Sequence, residues 1–560
     1  MWRVCPWALA ALLVLLAAIP APARQPEAGR PDADLVESSA STLAGRMPRS
    51  AELIVVFEGA AALRRSALWE ALIPALGDTS ALADTWTRLA QTLGWTPEET
   101  FDRVLGSRVA LVVQGLPDHA GFLGGVGDGP ADAGAEARWA LISEVSADTE
   151  RRLLERLAAS PRNIVQGCQL LAVERGTYEL AIYRPRGQAE AKPRSMLILA
   201  EAKNAALLDE MIGVLTDGAA APMRGTPAHR ALVGLGRADV AVLYRWPQSA
   251  GDAWSDYASV AIRREHGETW STSLSVHDAA LAPDLLKIPV GSDAAFHALG
   301  EDALAVIVET RVSGGDQDAP ESDPAGVVLR MLGIPPPVQE RLGPRQVLVV
   351  AENSPPGRSA AGMSVAVALE LMDIPGAAPE CDRYLALLAS SLEGEDETGQ
   401  GVGVPDFGGV APGAVRSVPL RCTPGSLCRL LCGDAPPAEM RGDAAWTFAE
   451  TGQAPGHGWW VIAAAPGGTD EEGAAGLVRR VTADLMRGPS DAGAQARWIS
   501  QGMLRPVAIL RRLGATAPAQ EILGRLRELS WSVRATETGA LEGTVQIKMS
   551  DREAGGPKTE

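Results

Sequence analysis

Hydrophobic positions along the chain follow two rhythms. Short continuous apolar runs at 53–57, 108–113, 139–145, 196–200, 347–350, 364–371, 445–449 and 459–463 read as buried strands. Between them lie stretches with helical spacing. At 84–93 the side chains Trp86, Leu89, Ala90 and Leu93 share one face, and Gly94 closes the helix. Thr96-Pro97-Glu98-Glu99 opens the next helix: Thr96 caps, Pro97 suits the first turn and Glu99 completes a capping box. Phe101, Val104 and Leu105 form its apolar face, and Gly106 ends it. Further helices are predicted at 148–159, with Leu153, Leu154 and Leu157 inward and Pro161 as the stop, and at 204–215, with Leu207, Leu208, Met211, Ile212 and Leu215 inward. A helix at 379–392 would bury Cys381, Tyr384, Leu385 and Leu388, and Thr469-Asp470-Glu471-Glu472 would cap one burying Leu477, Val478 and Val481.

Turn signals pair several of the strands. Arg175-Gly176 joins 170–173 to 178–183, Glu265-His266-Gly267 joins 258–263 to 269–276, and Glu537-Thr538-Gly539 joins 531–535 to 544–549. The strand, cap and amphipathic helix of 196–215 recur in design at 459–481. The pattern therefore predicts an α+β fold in two related halves, each a twisted, largely antiparallel sheet with helices packed on one face. The halves span 50–285 and 286–550, preceded by a flexible linker at 24–49 and followed by a disordered tail at 551–560. Acidic, Gly- and Pro-containing stretches at 313–324 and 393–413 read as mobile loops.

The start of the chain carries an address. Met1-Trp2-Arg3 is followed by an apolar run at 8–19 and by Ala21-Pro22-Ala23, the order of a secretory signal peptide over 1–23. The run falls short of the ~20 residues a bilayer span needs. No other run reaches that length, so no transmembrane segment is expected after cleavage. The expected location is exported, periplasmic or secreted. With 46% hydrophobic and 21% charged residues the remainder has the material for a packed core. A net charge of −18 repels phosphate backbones, so nucleic acid is not expected as a partner. Positive charge is almost all arginine, which with the many Ala, Gly and Pro indicates a GC-rich bacterial genome.

Two stretches have a familiar rhythm. Gly94-Trp95-Thr96-Pro97-Glu98-Glu99 leads through a short helix to Gly106-Ser107-Arg108-Val109-Ala110-Leu111-Val112, and the strand at 196–200 runs into the helix at 204–215. This resembles a family of exported bacterial proteins with repeated α+β units, known only as a domain of unknown function. The resemblance covers about half of the chain in element order. It implies no activity, cofactor or catalytic residue.

Chemistry is sparse in the sequence. The 6 histidines (His119, His229, His266, His277, His297 and His457) form no H-E-x-x-H motif and no i, i+4 pair. There is no G-x-S-x-G elbow and no P-loop, and the glycines of 124–129 have no adjoining helix. Asp316, Asp318, Glu321 and Asp323 lack calcium-loop spacing and read as a solvated loop. Arg441-Gly442-Asp443 is an adhesion tripeptide of the kind that arises by chance. No catalytic, metal or cofactor residues are therefore assigned. The one cluster is Cys422, Cys428 and Cys432, where a disulfide from Cys422 to either partner is favoured over a metal site that would need His457 as a fourth ligand. Cys168 and Cys381 are expected to stay reduced. Trp459 and Trp460 alternate in a strand, so at most one of them is expected to face the core.

The sequence thus points to an exported, soluble, non-enzymatic binding or interaction protein of the bacterial cell envelope. Its partner would be another envelope protein or an apolar small ligand held between sheet and helices. The alternatives are an exported hydrolase with a site assembled from distant residues, and a structural envelope component.

Overall fold

The computed structural model describes residues 39–59, 79–115, 138–173, 176–184, 195–216, 220–245, 254, 256–265, 269–279, 282–288, 290–292, 296, 299, 303–310, 336–352, 363–392, 413–421, 441–451, 455–466, 473–486, 495–506, 508–509 and 526–549. Strand residues well outnumber helical ones, and large antiparallel sheet makes up most of the described chain. The class is all-β-like, which overturns the expected α+β arrangement of sheet-plus-helix halves. The difference lies in strands outside the expected set. The stretch 158–165 is polar and shows no clean period, whereas 240–245 and 303–310 are apolar runs; with 416–421 and 495–504, each adds a ladder to the sheet.

An N-terminal unit is built on Cys5–Glu265 and Trp270–Ala280, and a C-terminal unit on Leu281–Glu560. The strands of the first are β1 (Leu53–Phe57), β2 (Val109–Gln114), β3 (Arg138–Val145), β4 (Ala158–Val165), β5 (Cys168–Val173), β6 (Tyr178–Tyr183), β7 (Ser195–Glu201), β8 (Val240–Arg245), β9 (Tyr257–Arg264) and β10 (Thr269–His277). They lie in the order β4-β5-β6-β7-β3-β2-β1-β8-β9-β10, and every pairing is antiparallel. Its helices are α1 (Ser39–Gly45), α2 (Thr79–Leu93), α3 (Pro97–Val104), α4 (Ala147–Arg156), α5 (Ala205–Leu215) and α6 (Pro227–Gly234).

Helices α1, α5 and α6 cover one sheet face, where Leu43, Met47, Leu208, Met211, Ile212 and Leu232 meet Ile54, Val112, Ile142, Ile198 and Leu243. Each such side chain contributes about 1.5–3 kcal/mol by leaving water. Helix α1 lies within 24–49, the stretch read as a linker, yet Ala40, Leu43 and Ala44 are buried in the core. Its sequence, SASTLAG, is too short and too small-residued to show a helical period.

Caps fix the helix starts. Thr96 Oγ1 accepts from the Glu99 N–H (3.1 Å) while Glu99 accepts from the Thr96 N–H (3.0 Å), so the capping box is formed as read. Ser146 Oγ accepts from the Thr149 N–H (3.2 Å) at the start of α4. That helix ends at Arg156, and Pro161 does not stop it. The chain turns at Leu157 into β4, and Pro161 lies within that edge strand, where a missing N–H is tolerated.

The C-terminal unit has β11 (Gly291–Ser292), β12 (Ala303–Thr310), β13 (Leu342–Glu352), β14 (Met363–Leu371), β15 (Arg416–Arg421), β16 (Arg441–Glu450), β17 (Gly458–Pro466), β18 (Gln495–Leu504), β19 (Leu526–Ala535) and β20 (Leu541–Met549). The order is β15-β16-β17-β14-β13-β12-β18-β19-β20, again antiparallel throughout, with β11 pairing a short part of β18. With β4 left out, this connectivity matches that of the N-terminal unit strand for strand.

Helix α7 (Ile374–Leu392) and helix α8 (Ala474–Met486) cover opposite faces. Leu477, Val478 and Val481 of α8 pack with Trp459, Val461 and Ala463 of the sheet; Cys381 and Leu385 of α7 pack with Trp446, Phe448 and Trp460. Trp459 and Trp460 do point to opposite faces, but both are buried, because each face has its own helix. Helix α7 begins at Ile374, ahead of the expected start, with Pro379 inside it.

Candidate functional site

An open groove lies at one end of the N-terminal sheet, between α2 and the junction of α4 with β4. It has a volume of about 530 Å³, within the range of small-ligand sites. Helix α2 supplies Arg88, Leu89 and Thr92; the opposite wall supplies Arg156, Leu157, Ala158, Ala172 and Val173. The sequence builds it locally. Residues 88, 89 and 92 fall on one helical face, and the Thr92 hydroxyl donates to the Arg88 carbonyl (2.9 Å). Trp86 packs on Phe101 with ring centroids 5.7 Å apart, which ties α2 to α3. Across the groove, Leu157 closes α4 by donating its N–H to the Leu153 carbonyl (3.0 Å) and turns the chain to extended backbone. Ala158 and Ala172 then face each other in the β4–β5 ladder.

The floor is apolar and the rim is basic. Leu89 and Val173 are buried, Leu157 and Ala172 half-buried, and Arg88, Thr92 and Arg156 exposed. The lining holds two arginines and no carboxylate. Such a surface holds a nonpolar group against its floor and favours negative charge at its mouth. The pattern of α2 was legible; the groove was not, because its other wall needs β4, a strand without a sequence signal.

Three groups of polar side chains elsewhere in this unit are matched to one another. Ser160 Oγ donates to Glu179 (2.6 Å), and Arg162 bridges Glu179 (3.1 Å) and Asp209. Ser195 Oγ donates to Glu150 (2.6 Å), which also accepts from Arg184 (2.5 Å). Ser50 donates to Glu210, and the Gln114 amide donates to both Ser50 (2.6 Å) and Glu210 (3.0 Å). Each carboxylate takes the serine hydroxyl directly, with no imidazole among these partners, so these contacts tie strands to helices and form no proton relay.

The histidines that sequence reading singled out are scattered in the fold. The His229 ring lies 3.1 Å from the Ser41 carbonyl, the His277 ring stacks on Tyr257 at 5.9 Å, and His457 precedes β17. His119, His266, His297, the glycine stretch at 124–129 and the acidic residues Asp316, Asp318, Glu321 and Asp323 lie outside the described residues. So do Cys422, Cys428 and Cys432. Arg441-Gly442-Asp443 opens strand β16, with Gly442 and Asp443 paired on both sides and Arg441 on one, and is no loop tip. Cys168 and Cys381 are buried free thiols. Burial pushes the Cys168 thiol up to about 11 from its ordinary 9.0, and burial beside Asp382 and Glu380 pushes Cys381 higher still. Among the described residues no group of His, Cys, Asp and Glu is placed to hold a metal ion, and no helix is long and apolar enough to cross a membrane.

Comparison with known proteins found no matching family model, curated protein or solved structure.

Proposed function

We propose that this chain is an exported, soluble binding protein of the bacterial cell envelope that works without catalysis, and that the groove between α2 and the α4–β4 junction is its binding seat. The groove carries this reading: Leu157, Ala158 and Ala172 leave apolar surface open over the buried Leu89 and Val173, beside a helix and a sheet edge that are both held by their own packing. An open groove of this volume, part apolar and part polar in its lining, suits a small ligand with a nonpolar part. Export rests on the order of Arg3, the apolar run at 8–19 and Ala21-Pro22-Ala23.

The test is binding of a neutral environment-sensitive dye, Nile red, to the purified chain. Saturable fluorescence is expected with the natural sequence and at least tenfold weaker binding with Leu157→Glu, which places a charge on the floor. Circular dichroism must match between the two. Equal dye binding by both would remove the groove from the reading.

A further inference from the structure

We infer that the groove selects a single-chain amphiphile with an anionic head, its nonpolar chain on the floor and its head at Arg156; this rests on the binding reading proposed for the same groove. The first argument is charge. The whole chain carries a net charge of −18, yet this lining has Arg88 and Arg156 and no acid. A basic mouth on an acidic protein concentrates anions where the rest of the surface repels them.

The second argument is placement. Arg156 is the last residue of α4, and Leu157, next in the chain, is half-buried in the groove wall. A nonpolar chain lying on Leu157 and Ala172 therefore brings its polar end to the Arg156 guanidinium. Guanidinium matches the two oxygens of a carboxylate or phosphate with parallel N–H donors, so the head is held by shape as well as by charge. Among the described residues Arg156 forms no ion pair, which leaves its donors for a ligand.

The third argument is size. A cleft of about 530 Å³, open along one side, holds a single chain. Carboxylate and phosphate heads share this chemistry, and the probes separate them.

The experiment is isothermal titration of the full chain with dodecanoate, dodecyl phosphate and 1-dodecanol below their aggregation limits. The chain should bind at least one anionic probe tenfold or more tightly than the alcohol, and the tighter of the two names the head. Arg156→Gln should abolish that preference by weakening the anionic probe to the level of the alcohol, and Arg156→Lys should restore part of it. Arg156 is exposed at a helix end, so these changes leave the fold intact. Equal binding of acid and alcohol by the natural chain, or an unchanged preference in Arg156→Gln, would overturn the anionic-head inference and leave the groove standing. Absence of binding by all three probes, or full binding by Leu157→Glu, would overturn the groove reading itself.

Discussion

Gly106 passes so close beneath the carbonyl of Glu144 that a Cβ at residue 106 would lie 1.6 Å from that oxygen. Its φ of +62° is also one that side-chain-bearing residues avoid. This contact lets the chain leave α3 and enter β2 directly against β3, where the Ser107 N–H donates to the Glu144 carbonyl (3.3 Å). Gly106→Ala should therefore destabilise the N-terminal unit by roughly 1–3 kcal/mol from backbone conformation alone, and by more from the clash. Urea unfolding followed by tryptophan fluorescence would show a lower midpoint; an unchanged midpoint would contradict the close approach.

The cap at Thr96 makes a gentler prediction. Thr96→Ala removes the acceptor for the Glu99 N–H on an exposed helix start. The expected loss is about 1 kcal/mol, within the ~0.5–2 kcal/mol range for such caps. Thr96→Ser should recover most of it. Equal stability of the alanine variant and the natural chain would mean that the capping box is not formed in solution.

These two sites were legible in the sequence because local chemistry determines them. Thr96-Pro97-Glu98-Glu99 states its own geometry, and Gly106 marks its own turn. The central strands were legible for a similar reason: 53–57 and 196–200 are continuous apolar runs buried on both faces. What remained hidden depends on long-range pairing. Strand β4 is mostly exposed, carries Pro161 and breaks register between Ala159 and Ile164, so no period marks it. Helix α1 is held by the core it enters and shows little propensity of its own. The groove depends on β4 and was hidden with it. Trp459 and Trp460 misled for the opposite reason: alternation was read correctly, but a second covering helix made both faces internal.

Glu179 should be the most sensitive carboxylate in this unit. Its side chain is almost fully buried and accepts from Ser160 and Arg162. Glu179→Leu leaves the Ser160 hydroxyl without its acceptor and the Arg162 guanidinium with Asp209 alone. Since Arg162 is 27% exposed, the loss should be about 2–3 kcal/mol, below the range for fully buried pairs. Adding Ser160→Ala to that variant should cost much less than Ser160→Ala alone. Additive losses in a double-mutant cycle would separate the two residues.

The buried thiols give a pH dependence. The Cys168 thiol is raised from 9.0 to about 11 in the fold, because burial disfavours the thiolate. Below about pH 9 both folded and unfolded chains keep the proton, and the stabilising difference is fully present. Between about 9 and 11 the unfolded chain loses a proton that the folded chain retains, so stability falls across that window. Cys168→Ala should flatten this part of the stability profile. At pH 8, neither Cys168 nor Cys381 should react with a thiol reagent until denaturant is added; rapid labelling of either in the native chain would contradict their burial.

The most direct measurement is native mass spectrometry of the protein purified from the native host, with its cell-envelope fraction taken separately. The expected spectrum shows a chain that has lost residues 1–23 and carries a noncovalent adduct of small-molecule mass. The same preparation of Leu157→Glu should show the processed chain without the adduct. An unprocessed chain would contradict export, and a bare processed chain, or an adduct that survives Leu157→Glu, would contradict binding in the groove.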